Sequence, residues 1–168
     1  MATRGGWAFP GSCPARARAE LVGNPVRRSL APAEEPRARL QKRRGSRRRV
    51  LVIGGSQGAR ILNQTVPKAL AELPADGRPE VWHQAGRGLG DARAAYAEAG
   101  VDARVVEFID DMSEAYQWAD LVVARSGALT VSELAMVGVG AVLVPFAAAI
   151  DDHQTLNARH FAKGGAGL

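Results

Sequence analysis

From residue 50 onward the chain alternates short apolar runs with longer stretches of helical period, five times over. The runs are 50–53, 80–84, 104–109, 121–123 and 141–144. Each is too short for a stable helix. Val50-Leu51-Val52-Ile53 is apolar without a break, as a strand covered on both faces must be. The intervening stretches are 59–73, 91–99, a turn and helix that open at Asp110-Asp111, and 130–137; a last one, 151–163, follows the fifth run. In the first of them Ile61, Leu62, Val66, Leu70 and Leu73 recur at helical spacing, and Pro67 marks a kink or a boundary. Gly100 stops the second, and Gly164-Gly165 stops the last. Successive parallel strands need a crossover, and here each crossover is a helix. The pattern predicts an α/β fold with an open, doubly wound parallel sheet.

Composition sets bounds on this reading. A chain of 168 residues with 46% hydrophobic content buries one core. At 5%, aromatic residues are too few for an aromatic-rich sandwich. No run approaches the roughly 18 apolar residues of a membrane-spanning helix. Arg4 is not followed by an apolar stretch of signal-peptide length, so secretion is not expected. The single cysteine, Cys13, permits neither an intrachain disulfide nor a cysteine metal cluster, and a reducing cytoplasm fits.

The net charge of +5 comes from one place. From Arg37 to Arg49 there are eight basic residues and no acid, which leaves −3 for everything else. Such a run is a solvated linker, a contact for an anionic membrane, or a nucleic-acid contact. It has no interleaved aromatics to stack on bases, which disfavours nucleic acid. Residues 1–20 show neither strand nor helix period. A short apolar piece then ends in a Gly23-Asn24-Pro25 turn, and 29–49 reads as linker. The expected division is an N-terminal segment with basic linker, 1–49, and one domain, 50–168.

Ligands of doubly wound sheets lie beyond the carboxyl ends of the strands. That selects the loops 54–58, 85–89, 108–112, 125–130 and 146–154. In the fourth, the small residues Ser126-Gly127-Ala128 separate strand from helix and leave room for a ligand at the helix start, where unpaired amides favour negative charge. Glu133, in the first turns of that helix, is either an ordinary surface acid or an acceptor for hydroxyls such as those of a ribose. Gly54-Gly55-Ser56-Gln57-Gly58 follows a strand and offers the Ser56 hydroxyl to phosphate, but it is neither a dinucleotide fingerprint nor a P-loop. Ile109 is a core residue, or its backbone meets a base edge. His83 lies in a strand and reads as structural. Asp110-Asp111 and Asp151-Asp152 suit helix starts better than a metal site, since no histidine-rich set joins them. Gln154 and Asn157 share a helix face and suit a sugar's hydroxyls.

Four motifs together resemble the MurG family of bacterial UDP-N-acetylglucosamine transferases. They are Gly23-Asn24-Pro25-Val26-Arg27, Gly54-Gly55-Ser56-Gln57-Gly58-Ala59-Arg60, Phe108-Ile109-Asp110-Asp111-Met112 and Arg125-Ser126-Gly127-Ala128-Leu129-Thr130-Val131-Ser132-Glu133, in the family's order. The resemblance runs from about Val22 to the end. It implies the Rossmann-like C-terminal domain of a GT-B glycosyltransferase, which transfers N-acetylglucosamine from its UDP donor to lipid I, giving lipid II with inversion. It implies Arg27 and Ser56 at the diphosphate, and the Ile109 backbone at uracil. Ala128, Leu129 and Thr130 would offer amides to phosphate, within a contact stretch that continues through Val131 and Ser132. Glu133 would hold the ribose, and Gln154 and Asn157 the N-acetylglucosamine, with His153 competing with Gln154. No cofactor or metal is implied. The partners implied are the UDP-sugar, lipid I through an acceptor domain that this chain does not match, and the anionic cytoplasmic face of the bacterial plasma membrane, touched peripherally. A fragment lacking the acceptor half and its general base is expected to be inactive alone.

Overall fold

The computed structural model describes residues 5–7, 19–21, 23–31, 34–55, 59–146, 153–165 and 167. Two three-residue strands, β1 (Gly5–Trp7) and β2 (Ala19–Leu21), pair in parallel. Strands this short display no side-chain period, so the sequence pattern did not announce them.

The main sheet holds five parallel strands: β3 (Arg49–Ile53), β4 (Glu80–Gln84), β5 (Arg104–Val106), β6 (Leu121–Ala124) and β7 (Gly140–Leu143). Their spatial order is β5-β4-β3-β6-β7, so the winding reverses between β3 and β6. That is the switch point at which doubly wound sheets open a crevice. Gly167 adds a single parallel bridge to Ala141 beyond β7.

Helices cover both faces. α2 (Arg60–Ala71) and α3 (Leu89–Ala99) pack on one side, over Val50, Val52, Val81 and Val105. On the other side the core gathers Leu51, Ile53, Trp82, Tyr116, Val122, Leu134 and Phe161. Its helices are α4 (Met112–Trp118), α5 (Ala128–Val137) and α6 (His153–Lys163). Alternate residues of β3 thus feed opposite cores, as the pleat requires. α2 runs through Pro67 to Ala71, so that residue is neither stop nor boundary. β5 stops at Val106, three residues earlier than expected, because β4 ends at Gln84. The remaining bonds go to loop amides, from Ala85 to the Val106 carbonyl and from Gly86 to that of Glu107.

The basic stretch is not a plain linker. Its middle forms α1 (Pro36–Lys42), with proline in the first turn. Arg39 is buried and donates to the Gly138 carbonyl at the C-terminal end of α5, where the helix dipole favours a cation. Arg43 donates to the Trp118 carbonyl at 2.7 Å and pairs with the half-buried Asp120 at 3.3 Å. The second Asp120 oxygen takes the Arg49 amide at 2.9 Å. Arg47 donates to the Arg78 carbonyl, and the Arg49 guanidinium meets Glu80 and the Trp118 ring. These cations staple the amino edge of the sheet. Arg37, Arg44 and Arg48 remain exposed.

His83 is fully buried on the α2–α3 side, as its strand position suggested. The Asn63 amide nitrogen donates to the carbonyls of Ala85 and Gly88, so its oxygen is the acceptor facing His83 Nε2 at 3.1 Å. The imidazole therefore carries its proton on Nε2, and Nδ1 accepts from the Tyr96 hydroxyl at 3.0 Å. A side chain at Gly88 would collide with Asn63. The network thus holds the β4–α3 loop at the carboxyl edge. Burial lowers the His83 pKa from 6.5 to about 4. Below pH 6.5 the unfolded chain takes up a proton that the folded chain refuses until about pH 4. Stability from this group is full above that window and falls as pH drops through it, by about 1.4 kcal/mol per unit. Urea unfolding at pH 7.5 and pH 5 is expected to show the loss, and His83→Gln is expected to flatten it.

Candidate functional site

The β6–α5 turn sits beside the switch point. α5 starts at Ala128, two residues before the sequence pattern placed it, and Gly127 is its N-cap. A glycine there has no side chain with which to close the helix, and none of the described residues caps it. The first intrahelical bond runs from the Val131 amide to the Gly127 carbonyl at 3.0 Å. The amides of Ala128, Leu129 and Thr130 precede it and have no helical acceptor. Leu129 is exposed, and Ala128 and Thr130 are half-buried. The far end of α5 is closed: Gly138 turns left-handed at φ 66°, with Pro36 packed where a side chain would go. The helix therefore presents its positive end alone to the crevice.

Glu133 is half-buried one turn into α5. The hydroxyl of Tyr116, on α4, donates to Glu133 Oε2 at 2.9 Å. Tyr116 is 1% exposed, and burial, then the neighbouring carboxylate, push its phenol pKa well above the usual 10. It is a permanent donor at ordinary pH. Its partnership with Glu133 gave no signal in the sequence, where an aromatic on an amphipathic helix reads only as core.

Val131 and Ser132, the next members of the expected contact stretch, are engaged by the fold. Val131 is buried, with its amide already bonded. The Ser132 hydroxyl donates to the Ala128 carbonyl at 2.9 Å and accepts from Asn24 Nδ2 at 3.0 Å. That second bond, with buried Leu30 and half-buried Val26, docks residues 23–30 on α4 and α5. The docked segment carries Arg27, whose side chain is exposed. Asn24 is thus a support that motif reading named but did not explain.

Ile109 divides its roles. Its side chain is 3% exposed and belongs to the core. Among the described residues, no other backbone group bonds its N–H or C=O. Asp111 caps α4 by accepting the Glu114 amide at 3.0 Å, the helix-start use expected of that acid pair.

Gln154 and Asn157 both face the loops at the carboxyl edge. Gln154 Oε1 accepts the Phe146 amide at 2.9 Å. Asn157 is 4% exposed and donates Nδ2 to the Ser126 carbonyl at 3.0 Å. One polar group of each thus supports a loop. Ser126 itself is fully buried, and its hydroxyl has no partner among the described residues. Arg125 ties the same loop to the carbonyls of Val144 and Pro145. Ser56 and Asp151-Asp152 lie outside the described residues.

The glycosyltransferase family 28 C-terminal domain matches residues 49–168. The UDP-N-acetylglucosamine--N-acetylmuramyl-(pentapeptide) pyrophosphoryl-undecaprenol N-acetylglucosamine transferase of Nitrosococcus oceani is 60% identical over 162 residues, 96% of this chain and 45% of its own length. The enzyme of the same name from Marinobacter nauticus is 55% identical over 96% of this chain and 44% of its own. The chain thus spans a little under half the length of these relatives. The crystal structure of Acinetobacter baumannii MurG superposes with a TM-score of 0.77 at 37% identity, covering 98% of this chain and 45% of that one. The glycotransferase of kitacinnamycin, at 22% identity and a TM-score of 0.55, shares the fold over 89% of this chain and 36% of its own.

Asn157→Ala is expected to lower stability by about 1–3 kcal/mol, because it strips the Ser126 carbonyl of a buried donor. Denaturant unfolding measures that loss.

Proposed function

The chain belongs to glycosyltransferase family 28, and from that membership we propose that it is the donor-binding half of a UDP-N-acetylglucosamine transferase of peptidoglycan synthesis. The whole enzyme joins N-acetylglucosamine to the C4 hydroxyl of the muramyl sugar of lipid I. The hydroxyl oxygen attacks the anomeric carbon, the bond from that carbon to the diphosphate breaks, and UDP leaves with the electron pair. The acceptor's proton passes to a general base. The product is lipid II, with inverted configuration.

The observation that carries this reading is the open start of α5, with Glu133 one turn on. A departing diphosphate gathers negative charge, and fixed amide donors stabilise such charge without reorganising. Ala128, Leu129 and Thr130 supply those amides. Arg27 and Ser56 add a cation and a hydroxyl at the diphosphate. The free backbone of Ile109 meets the uracil edge, Glu133 accepts from the ribose hydroxyls, and Gln154 and Asn157 hold the sugar. The general base belongs to the acceptor-binding half of the enzyme, so this chain alone binds UDP weakly and turns over nothing.

The exposed Arg37, Arg44 and Arg48 fit peripheral contact with anionic lipid at the cytoplasmic face of the bacterial plasma membrane. No helix of the described residues is long and apolar enough to cross a membrane. Nucleic acid is the weaker partner for this run, since Arg39, Arg43, Arg47 and Arg49 are engaged within the protein.

Calorimetric titration with UDP tests the reading. Glu133→Ala is expected to weaken binding by about tenfold to a hundredfold, the worth of a hydrogen bond to a charged group. Unchanged affinity in that variant removes Glu133 from the ribose.

A further inference from the structure

We propose that Tyr116 is the positioning residue of this site: its hydroxyl holds one oxygen of Glu133 so that the other faces the ribose. The inference rests on the ribose reading of Glu133 and adds a residue to it.

A carboxylate on a two-carbon stem rotates freely unless something takes one of its oxygens. Here the 2.9 Å bond from Tyr116 occupies Oε2. A buried neutral donor facing a carboxylate makes a short, charge-assisted bond. The tyrosine is itself immobile. Its ring lies in the core with Ala115 and Ala119, both fully buried, and its helix is capped by Asp111. The same helix is tied to the docked N-terminal segment, where Ser113 Oγ donates to the Ser29 carbonyl at 2.8 Å. Tyr116 also follows Ile109 closely in the chain, separated by the Asp110-Asp111 loop and about one helical turn. One short segment therefore presents a free peptide group at one point and orients an acid at another. A nucleoside has a base edge and a pair of hydroxyls at a fixed separation. A rigid segment that sets both acceptors matches a ribonucleoside as a unit.

The test compares UDP with 2′,3′-dideoxy-UDP, which keeps the base and diphosphate but offers the carboxylate no hydroxyl. The unmodified chain is expected to prefer UDP clearly. Tyr116→Phe keeps the ring and removes only the donor. It is expected to weaken UDP by about fivefold to thirtyfold while leaving the dideoxy ligand unchanged. In a Glu133→Ala background the same change is expected to do nothing further. Equal weakening of both ligands, or undiminished preference for UDP, overturns the positioning role while leaving the ribose reading intact. If the unmodified chain shows no preference between the two, the ribose reading itself falls, and this inference with it. Should the phenylalanine variant not fold, Tyr116→Met, an adaptable apolar filler, takes its place in the same comparison.

Discussion

Three amide hydrogens at the start of α5 have no helical acceptor, and much of the fold keeps them in that state. The N-cap is a glycine, which cannot reach back with a side chain. Asn157 holds the Ser126 carbonyl from the neighbouring α6, and Arg125 ties the same loop to the end of the next strand. At the opposite end the helix is shut by Gly138, Pro36 and Arg39. A helix closed at one end and open at the other aims its dipole in one direction. The parallel sheet sets that direction, because every strand in it points to the same edge.

Much of this was legible from residue order. Five short apolar runs separated by helix-length stretches give the sheet and its parallel sense. Element ends were read less well, for local reasons. β5 stops early because its neighbour has run out, a fact about pairing that one strand's own sequence does not carry. α5 starts early because small residues such as Ala128 join a helix as readily as a turn. The order of strands in space, with its reversal between β3 and β6, follows from packing and not from any motif.

The basic stretch shows where composition misleads. Eight cations among the thirteen residues from Arg37 to Arg49 read as one patch facing one partner. In the fold they split, since Asp120, the Trp118 carbonyl and the end of α5 draw Arg39 and Arg43 inward. Those acceptors lie 75 to 99 residues downstream, beyond the reach of local pattern. The site was read in the same uneven way. Glu133 stood out as an acid in the first turns of a helix. Tyr116 did not, because its role is a contact between two helices.

Ile109 gives the crevice an unusual kind of robustness. Its side chain answers to the core, while its peptide group, bonded by no other backbone group among the described residues, is the part that the proposed uracil contact uses. A family can therefore exchange one bulky aliphatic for another at such a place without altering what is recognised. An alanine scan would score the position for packing and miss its other duty. Only chemistry on the main chain itself, an ester in place of the amide, would separate the two.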